Sequence, residues 1–219
     1  MNQFTSIIVI AAVMSSSTPT AEGYSIIIGL NPALQKRFIL SEKTPDLIPG
    51  NVHRASSIQT GIGGKGQDVA VTLANLSTAP SNYIYLAQLV GSGAEGDLAL
   101  SKLDNILSWH DQDHSGDLNM LEKDCKTSEW TSLTVRVKAA LRTCTTIIGD
   151  NSATELVEPS GVILPGEIQE LKDKISSLNT RRKIRGLCIM GSMPPGCDEN
   201  LYAELYGMIQ KKLFKYYPS

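Results

Sequence analysis

Gly61-Ile62-Gly63-Gly64-Lys65-Gly66-Gln67-Asp68-Val69-Ala70 is the stretch on which the reading of this chain turns. Four glycines and a lysine stand between a strand-like run, Ala55–Thr60, and a helix-like run, Asp68–Leu76. Glycines let backbone N–H groups approach a ligand closely and accept positive φ. A helix N-terminus behind them adds partial positive charge, and Lys65 adds a full one. The stretch therefore suits an anionic or polyhydroxylated ligand. The spacing Gly61-x-Gly63-x-x-Gly66 fits a dinucleotide fingerprint, but that fingerprint needs an acid at the end of the next strand. The next strand-like run, Tyr83–Val90, holds none. A Walker loop needs Ser or Thr after the lysine, and Gly66 stands there. A glycine-rich turn without a ligand is the remaining alternative.

Upstream, Tyr24–Leu30 is a continuous β-branched run, the pattern of a strand buried on both faces. It ends at Asn31-Pro32-Ala33-Leu34, and ligands of open α/β sheets collect at such strand ends. Arg37–Leu40 and Val52–Thr60 read as strands with neither face strongly apolar, which suits a small exposed sheet. Downstream, Val69, Leu73 and Leu76 recur at helical spacing. Gly91-Ser92-Gly93-Ala94-Glu95-Gly96 repeats the dinucleotide spacing, ahead of a helix expected over Leu98–Trp109. Leu133–Ile148 reads as two strand halves around Lys138–Arg142, where Arg136, Lys138 and Arg142 form a basic group suited to phosphate. Thr154–Gly161 is a strand running into a turn, Pro165–Leu178 a helix, Leu187–Met190 a strand and Asn200–Phe214 a last helix.

Asp111–Glu122 carries Asp111, Asp113, Ser115, Asp117 and Glu122 with glycine at the sixth position, the spacing of a calcium loop. His110 and His114 stand four apart, a spacing open to a transition metal without an evident third ligand. The chain has 219 residues, 42% of them hydrophobic and 19% charged, with a net charge of −2. That balance fits one soluble globular domain and favours neither nucleic acid nor a membrane as partner. Cys125, Cys144, Cys188 and Cys197 are widely spaced and read as free thiols in a reducing, cytoplasmic setting. Residues 1–22 read as a leader, disordered or targeting: Ile7–Met14 is apolar but too short to cross a membrane, and no Lys or Arg precedes it.

Five blocks then stand in one order: Asn31-Pro32-Ala33-Leu34, Gly63-Gly64-Lys65-Gly66, Arg142 with Thr143-Cys144-Thr145-Thr146, Glu158-Pro159-Ser160-Gly161, and Gly191-Ser192-Met193-Pro194-Pro195-Gly196. In this order the sequence resembles the PfkB carbohydrate kinases, and within them the fructose-1-phosphate and tagatose-6-phosphate kinase branch. The resemblance implies a ribokinase-like α/β/α sandwich with a small β-sheet lid. It implies transfer of a phosphoryl group from ATP, with magnesium, to a sugar or sugar phosphate, and pairing of two copies through the lid.

Within residues 23–219 the resemblance places lid strands near 36–60 and 131–158 and a polar insertion near 110–130. By position, Asn31, Gln35, Gly63, Gly64, Lys65 and Asp68 would line the sugar site. Arg142 would meet a substrate phosphate, and Ser192 would lie near the sugar. Gln35 stands where the family has Asp, and Asp68 where it has Asn. The family's Gly-Ala-Gly-Asp block, with its general base and anion hole, is not among these residues; the resemblance places it beyond Ser219. No catalytic residue is therefore expected within the chain, which reads as a sugar-binding half without the nucleotide half. A sugar-phosphate-binding protein without catalysis is the alternative.

Overall fold

The computed structural model describes residues 9–11, 23–41, 46–76, 82–108, 130–178 and 183–216. Its centre is the isoleucine-rich run. Strand β2 (Gly23–Ile28) buries Ile26 and Ile28 in one cluster and Ile27 in another. Alternate side chains of a strand point to opposite faces, so a run of three isoleucines needs cover on both. Helices supply it. On one face lie α1 (Lys65–Leu76) and α2 (Ala94–Ser108), which bring Ala70, Ala74, Leu103 and Leu107 to the core. On the other lie α3 (Pro165–Ser177) and α4 (Leu201–Tyr216), with Leu171, Ile175, Leu201, Leu205 and Ile209. Leu171 and Ile175 are wholly buried, each stabilising the fold by about 2 kcal/mol.

The main sheet runs β1 (Val9–Ala11), β9 (Lys183–Ile189), β2, β5 (Asn82–Ser92), β6 (Trp130–Ala140). Strands β9, β2, β5 and β6 are parallel; β1 is antiparallel to β9. A second sheet of four strands runs β4 (Ala55–Gly63), β3 (Ala33–Leu40), β7 (Thr143–Ile148), β8 (Ala153–Val157). It grows from the carboxyl end of β2, since only Leu30–Pro32 and their neighbours separate β2 from β3. Leu34 and Ile62 anchor it, packing with Val90, Ala99 and Leu141 at the end of the main sheet.

Polar side chains fix the helix ends. Glu167, in the first turn of α3, accepts from Leu164 N and Lys138 N, both at 2.7 Å, so it caps its own helix and holds the edge of β6. Lys212 of α4 donates to Ile175 O at 3.0 Å and Leu178 O at 3.1 Å, satisfying orphan carbonyls at the end of α3.

Several boundaries differ from the sequence expectation. Strand β4 continues to Gly63 and α1 begins at Lys65, so the glycine stretch is mostly strand and only Gly64 is the turn. The buried face of α1 follows Gln67, Ala70 and Ala74, whereas Leu73 is 37% exposed. The strand halves of Leu133–Ile148 belong to different sheets. Residues 130–140 join the main sheet, so the lid expectation over 131–158 narrows to β7 and β8. Val9–Ala11, within the expected leader, pair with Leu187–Ile189 and so form part of the main sheet. The calcium-loop residues Asp111, Asp113, Ser115, Asp117 and Glu122, with His110, His114 and Cys125, lie outside the described residues. So does Ser219, beyond which the resemblance sets the catalytic block: the described residues end at Tyr216, in α4. Cys144, Cys188 and Cys197 are free.

Candidate functional site

The carboxyl ends of β2 and β9, the glycine turn and the base of the small sheet meet at Asn31. Asn31 Nδ2 donates to Ser192 Oγ at 2.9 Å, and Ser160 Oγ donates to Asn31 Oδ1 at 2.9 Å. One amide therefore ties together three loops, those after β2, β8 and β9. Tyr202, on α4, supports the Gly191–Ser192 turn from below. Its hydroxyl lies 3.4 Å from Met190 O and 3.3 Å from Gly191 O, and burial pushes it up to about 12.

The glycine turn stands opposite. Gly64 has φ +125°, a left-handed conformation that a side chain would strain. Gly66 and Gly29 are packed back to back: a Cβ on either would approach the other's Cα to 2.5–2.6 Å. That contact sets the start of α1 directly against the end of β2. Lys65, exposed, is the first residue of α1, and its Cβ would be 4.0 Å from a Cβ on Gly191. A lysine at a helix N-terminus thus stands close to the loop that carries Ser192, an arrangement suited to anionic or hydroxyl oxygens.

Arg142 joins them by gripping the β2–β3 connector. Its Nη2 donates to Asn31 O at 3.0 Å, and its Nε lies 3.4 Å from Pro32 O. Two of five guanidinium donors are used in this way, leaving the rest for a ligand oxygen. Beside it lies a small crevice open to solvent, with Asn31, Arg142 and Ser160 at its polar side and Leu89, Val137 and Ile163 among its apolar walls. Arg136, expected in one basic group with Arg142, is instead paired with Asp97 at 2.7 Å, because alternate β6 side chains face α2.

Gln35 lies on β3, where Nε2 donates to Thr146 Oγ1 at 2.9 Å and Oε1 lies 2.7 Å from where a Gly63 Cβ would stand. The Gln35 amide therefore reaches the glycine strand with its acceptor oxygen. Asp68 is placed beside Arg37 of β3; burial pushes its carboxyl up, and the Arg37 charge offsets part of this. The structure thus gathers Asn31, Gly63, Gly64, Lys65, Arg142 and Ser192, sets Gln35 against Gly63, and ties Asp68 to the Arg37 side.

Sequence reasoning missed Ser160, Arg37 and Gln67. Ser160 stood in a quoted block without a role. Gln67 had a signal: Gln67, Ala70 and Ala74 recur at i, i+3 and i+7, which places a glutamine on a helix's inner face. Among the described residues no three His, Cys, Asp or Glu form a group that could hold a metal ion by themselves.

No protein-family model matches the sequence, and no curated protein is significantly similar to it. Solved structures share its fold. A possible 1-phosphofructokinase from Thermotoga maritima superposes with a TM-score of 0.65 at 20% identity, over 86% of this chain and 51% of that one. Phosphofructokinase-2 from Escherichia coli, solved with fructose-6-phosphate, gives 0.63 at 21% identity, over 88% and 52%. The tetrameric inhibited form of that enzyme gives 0.60 at 18%, over 89% and 53%. The fold is ribokinase-like. Its structural neighbours are PfkB-type sugar kinases, and this chain spans about half the length of those it matches. No described helix is long and apolar enough to cross a membrane.

Proposed function

We propose that this chain forms the sugar-binding side of a carbohydrate kinase of the PfkB type, with a hexose phosphate as acceptor. The convergence of Asn31, Ser192, Arg142 and the Gly64–Lys65 turn at the carboxyl ends of β2 and β9 carries the proposal. Lys65 and Arg142 supply charge for the substrate's phosphate. Asn31, Ser192 and Gln35 supply neutral donors and acceptors for sugar hydroxyls. The four-stranded sheet excludes water above them. When bound, ATP with magnesium would supply the phosphoryl group; the chain's own residues hold and orient the acceptor.

Calorimetry with fructose 1-phosphate, fructose 6-phosphate and tagatose 6-phosphate tests this. Binding of at least one, weakened at least tenfold by Lys65→Met and absent for unphosphorylated fructose, is the expected result. No heat with any of them on folded protein overturns the proposal. A second reading, binding without transfer, is favoured by Gln35 and Asp68, which put a neutral amide and a carboxylate where the resemblance implies the reverse. Phosphorylation of a bound sugar phosphate by Mg·ATP would remove that reading.

We further propose that two copies associate through the small sheet. Phe38 stands in register with Ile58 and Ile147 across three strands, and Ile58 and Leu156 are each 58% exposed. Apolar side chains gathered on one face of an exposed sheet favour burial against a partner. Sedimentation should show a dimer that Ile58→Lys dissociates; a monomeric wild type would remove the idea. The free cysteines support a cytoplasmic, reducing setting.

A further inference from the structure

Two buried glutamines stand between the main sheet and α1. Gln67 is 1% exposed and Gln88, on β5, is wholly buried. Gln67 Nε2 donates to Gly29 O at 3.0 Å and to Gln88 Oε1 at 2.8 Å. Gln88 Nε2 donates to Thr134 Oγ1 at 2.8 Å, and Thr134 is bonded to Ser132. The direction of this relay is fixed at its first member, because a backbone carbonyl such as Gly29 O can only accept. Both hydrogens of the Gln67 amide are therefore used, and its Oε1 faces the other way. It lies against Gly64, in the space a Cβ there would need.

We infer that Gln67 is a positioning residue for the glycine turn: its amide clamps Gly64 and the start of α1 to the end of β2, and so fixes Lys65 relative to Asn31. Burying two amides brings little net stability, since each hydrogen bond inside replaces one to water. An apolar pair would fill the same volume. What the amide adds is direction. One end bonds the strand that leads to Asn31, and the other packs under the turn that presents Lys65. The inference rests on the proposed sugar-phosphate site for its functional consequence, but not for its structural one.

The test compares Gln67→Met with Gln88→Met. Both break the relay, but only the first removes the bond to Gly29 and the contact with Gly64. The readouts are hydrogen exchange of the Asp68 amide, which donates to Gly64 O at 2.9 Å, and affinity for fructose 6-phosphate and fructose 1-phosphate. Gln67→Met should speed that exchange at least tenfold and weaken binding at least tenfold, while Gln88→Met leaves both within threefold of wild type. Equal effects of the two variants, or no effect of Gln67→Met on either readout, would overturn the inference. So would faster exchange with unchanged affinity. If wild type binds neither sugar phosphate while the exchange contrast holds, the positioning role stands and the proposed function falls. Should Gln67→Met not fold, Gln67→Met/Gln88→Met replaces it, with Gln88→Met as reference, because the pair leaves fewer polar groups unmatched.

Discussion

The molecule contains the same glycine spacing twice, in two different surroundings. Gly61-x-Gly63-x-x-Gly66 and Gly91-x-Gly93-x-x-Gly96 both end a strand and open a helix. In space they are one residue out of step. The left-handed turn is at Gly64 in the first and at Gly93 in the second, each accepting from the N–H four residues on, Asp68 or Asp97. Lys65 therefore matches Ala94, and Gln67 matches Gly96. The first helix opens with a cation against the loops of Asn31 and Ser192. The second opens with Glu95 and Asp97, acids that complement the helix dipole but repel a phosphate. Its glycines serve packing instead: Cβ atoms on Gly91 and Gly96 would overlap the Leu141 backbone and Gly91 O. A glycine spacing marks where backbone comes close. On the proposed function, the residue that starts the helix decides whether the turn also meets a ligand.

The largest effect should therefore fall on the packing turn. Gly96→Ala forces a methyl into a backbone carbonyl, which cannot move without shifting β5, and should cost about 3 kcal/mol, measured as a lower denaturant midpoint. Gly64→Ala should cost less stability, about 2 kcal/mol from its left-handed φ, since the overlapping atom is a side-chain oxygen. It should nonetheless abolish sugar-phosphate binding. A Gly64→Ala protein that binds normally, or a Gly96→Ala protein as stable as wild type, would break the comparison at its root. Lys65→Met comes next, with about a tenfold loss of affinity and an unchanged melting temperature, because Lys65 is exposed.

The two turns also show what was legible beforehand. Residue types were: Asn31, the glycines, Lys65, Arg142 and Ser192 were read from their blocks, a buried strand from the isoleucine run and helices from their spacings, while the α/β/α sandwich came only with the family resemblance. Register was not. Strand and helix propensity cannot place a helix start to one residue, so Gly64 and Gly93 looked like different motif positions. Sheet membership was hidden too. Residues 130–140 and 143–148 are both β-branched runs, and nothing local says that the chain changes sheets at Leu141–Arg142. The partners of Asn31 lie 129 and 161 positions away, at Ser160 and Ser192. A serine in a turn carries no mark of such a bond until the fold closes it.

The sharpest use of the comparison is its smallest effect, at Asp68 and Asp97, which hold the same place in the two helices. Asp97 is tied to Arg136 at 2.7 Å and is mostly exposed. Asp97→Asn should cost at most about 1 kcal/mol and leave ligand affinity alone. Asp68 stands in the helix that faces the proposed site; its side chain is exposed too, but partial desolvation raises its pKa, offset in part by Arg37. Asp68→Asn removes a negative charge near a bound phosphate and should tighten sugar-phosphate binding about threefold at neutral pH. Protonation does the same in the wild type. Because the folded pKa is raised, the folded chain holds this proton more tightly than the unfolded one. The stability it contributes is present at acid pH and is lost as pH rises through the folded value. Affinity should follow the same direction, rising as pH falls, with that component missing in Asp68→Asn. The ligand's own phosphate titration is common to both proteins and cancels in their ratio. If Asp97→Asn changes affinity as much as Asp68→Asn does, the second turn is as much a ligand site as the first, and their division of labour is wrong.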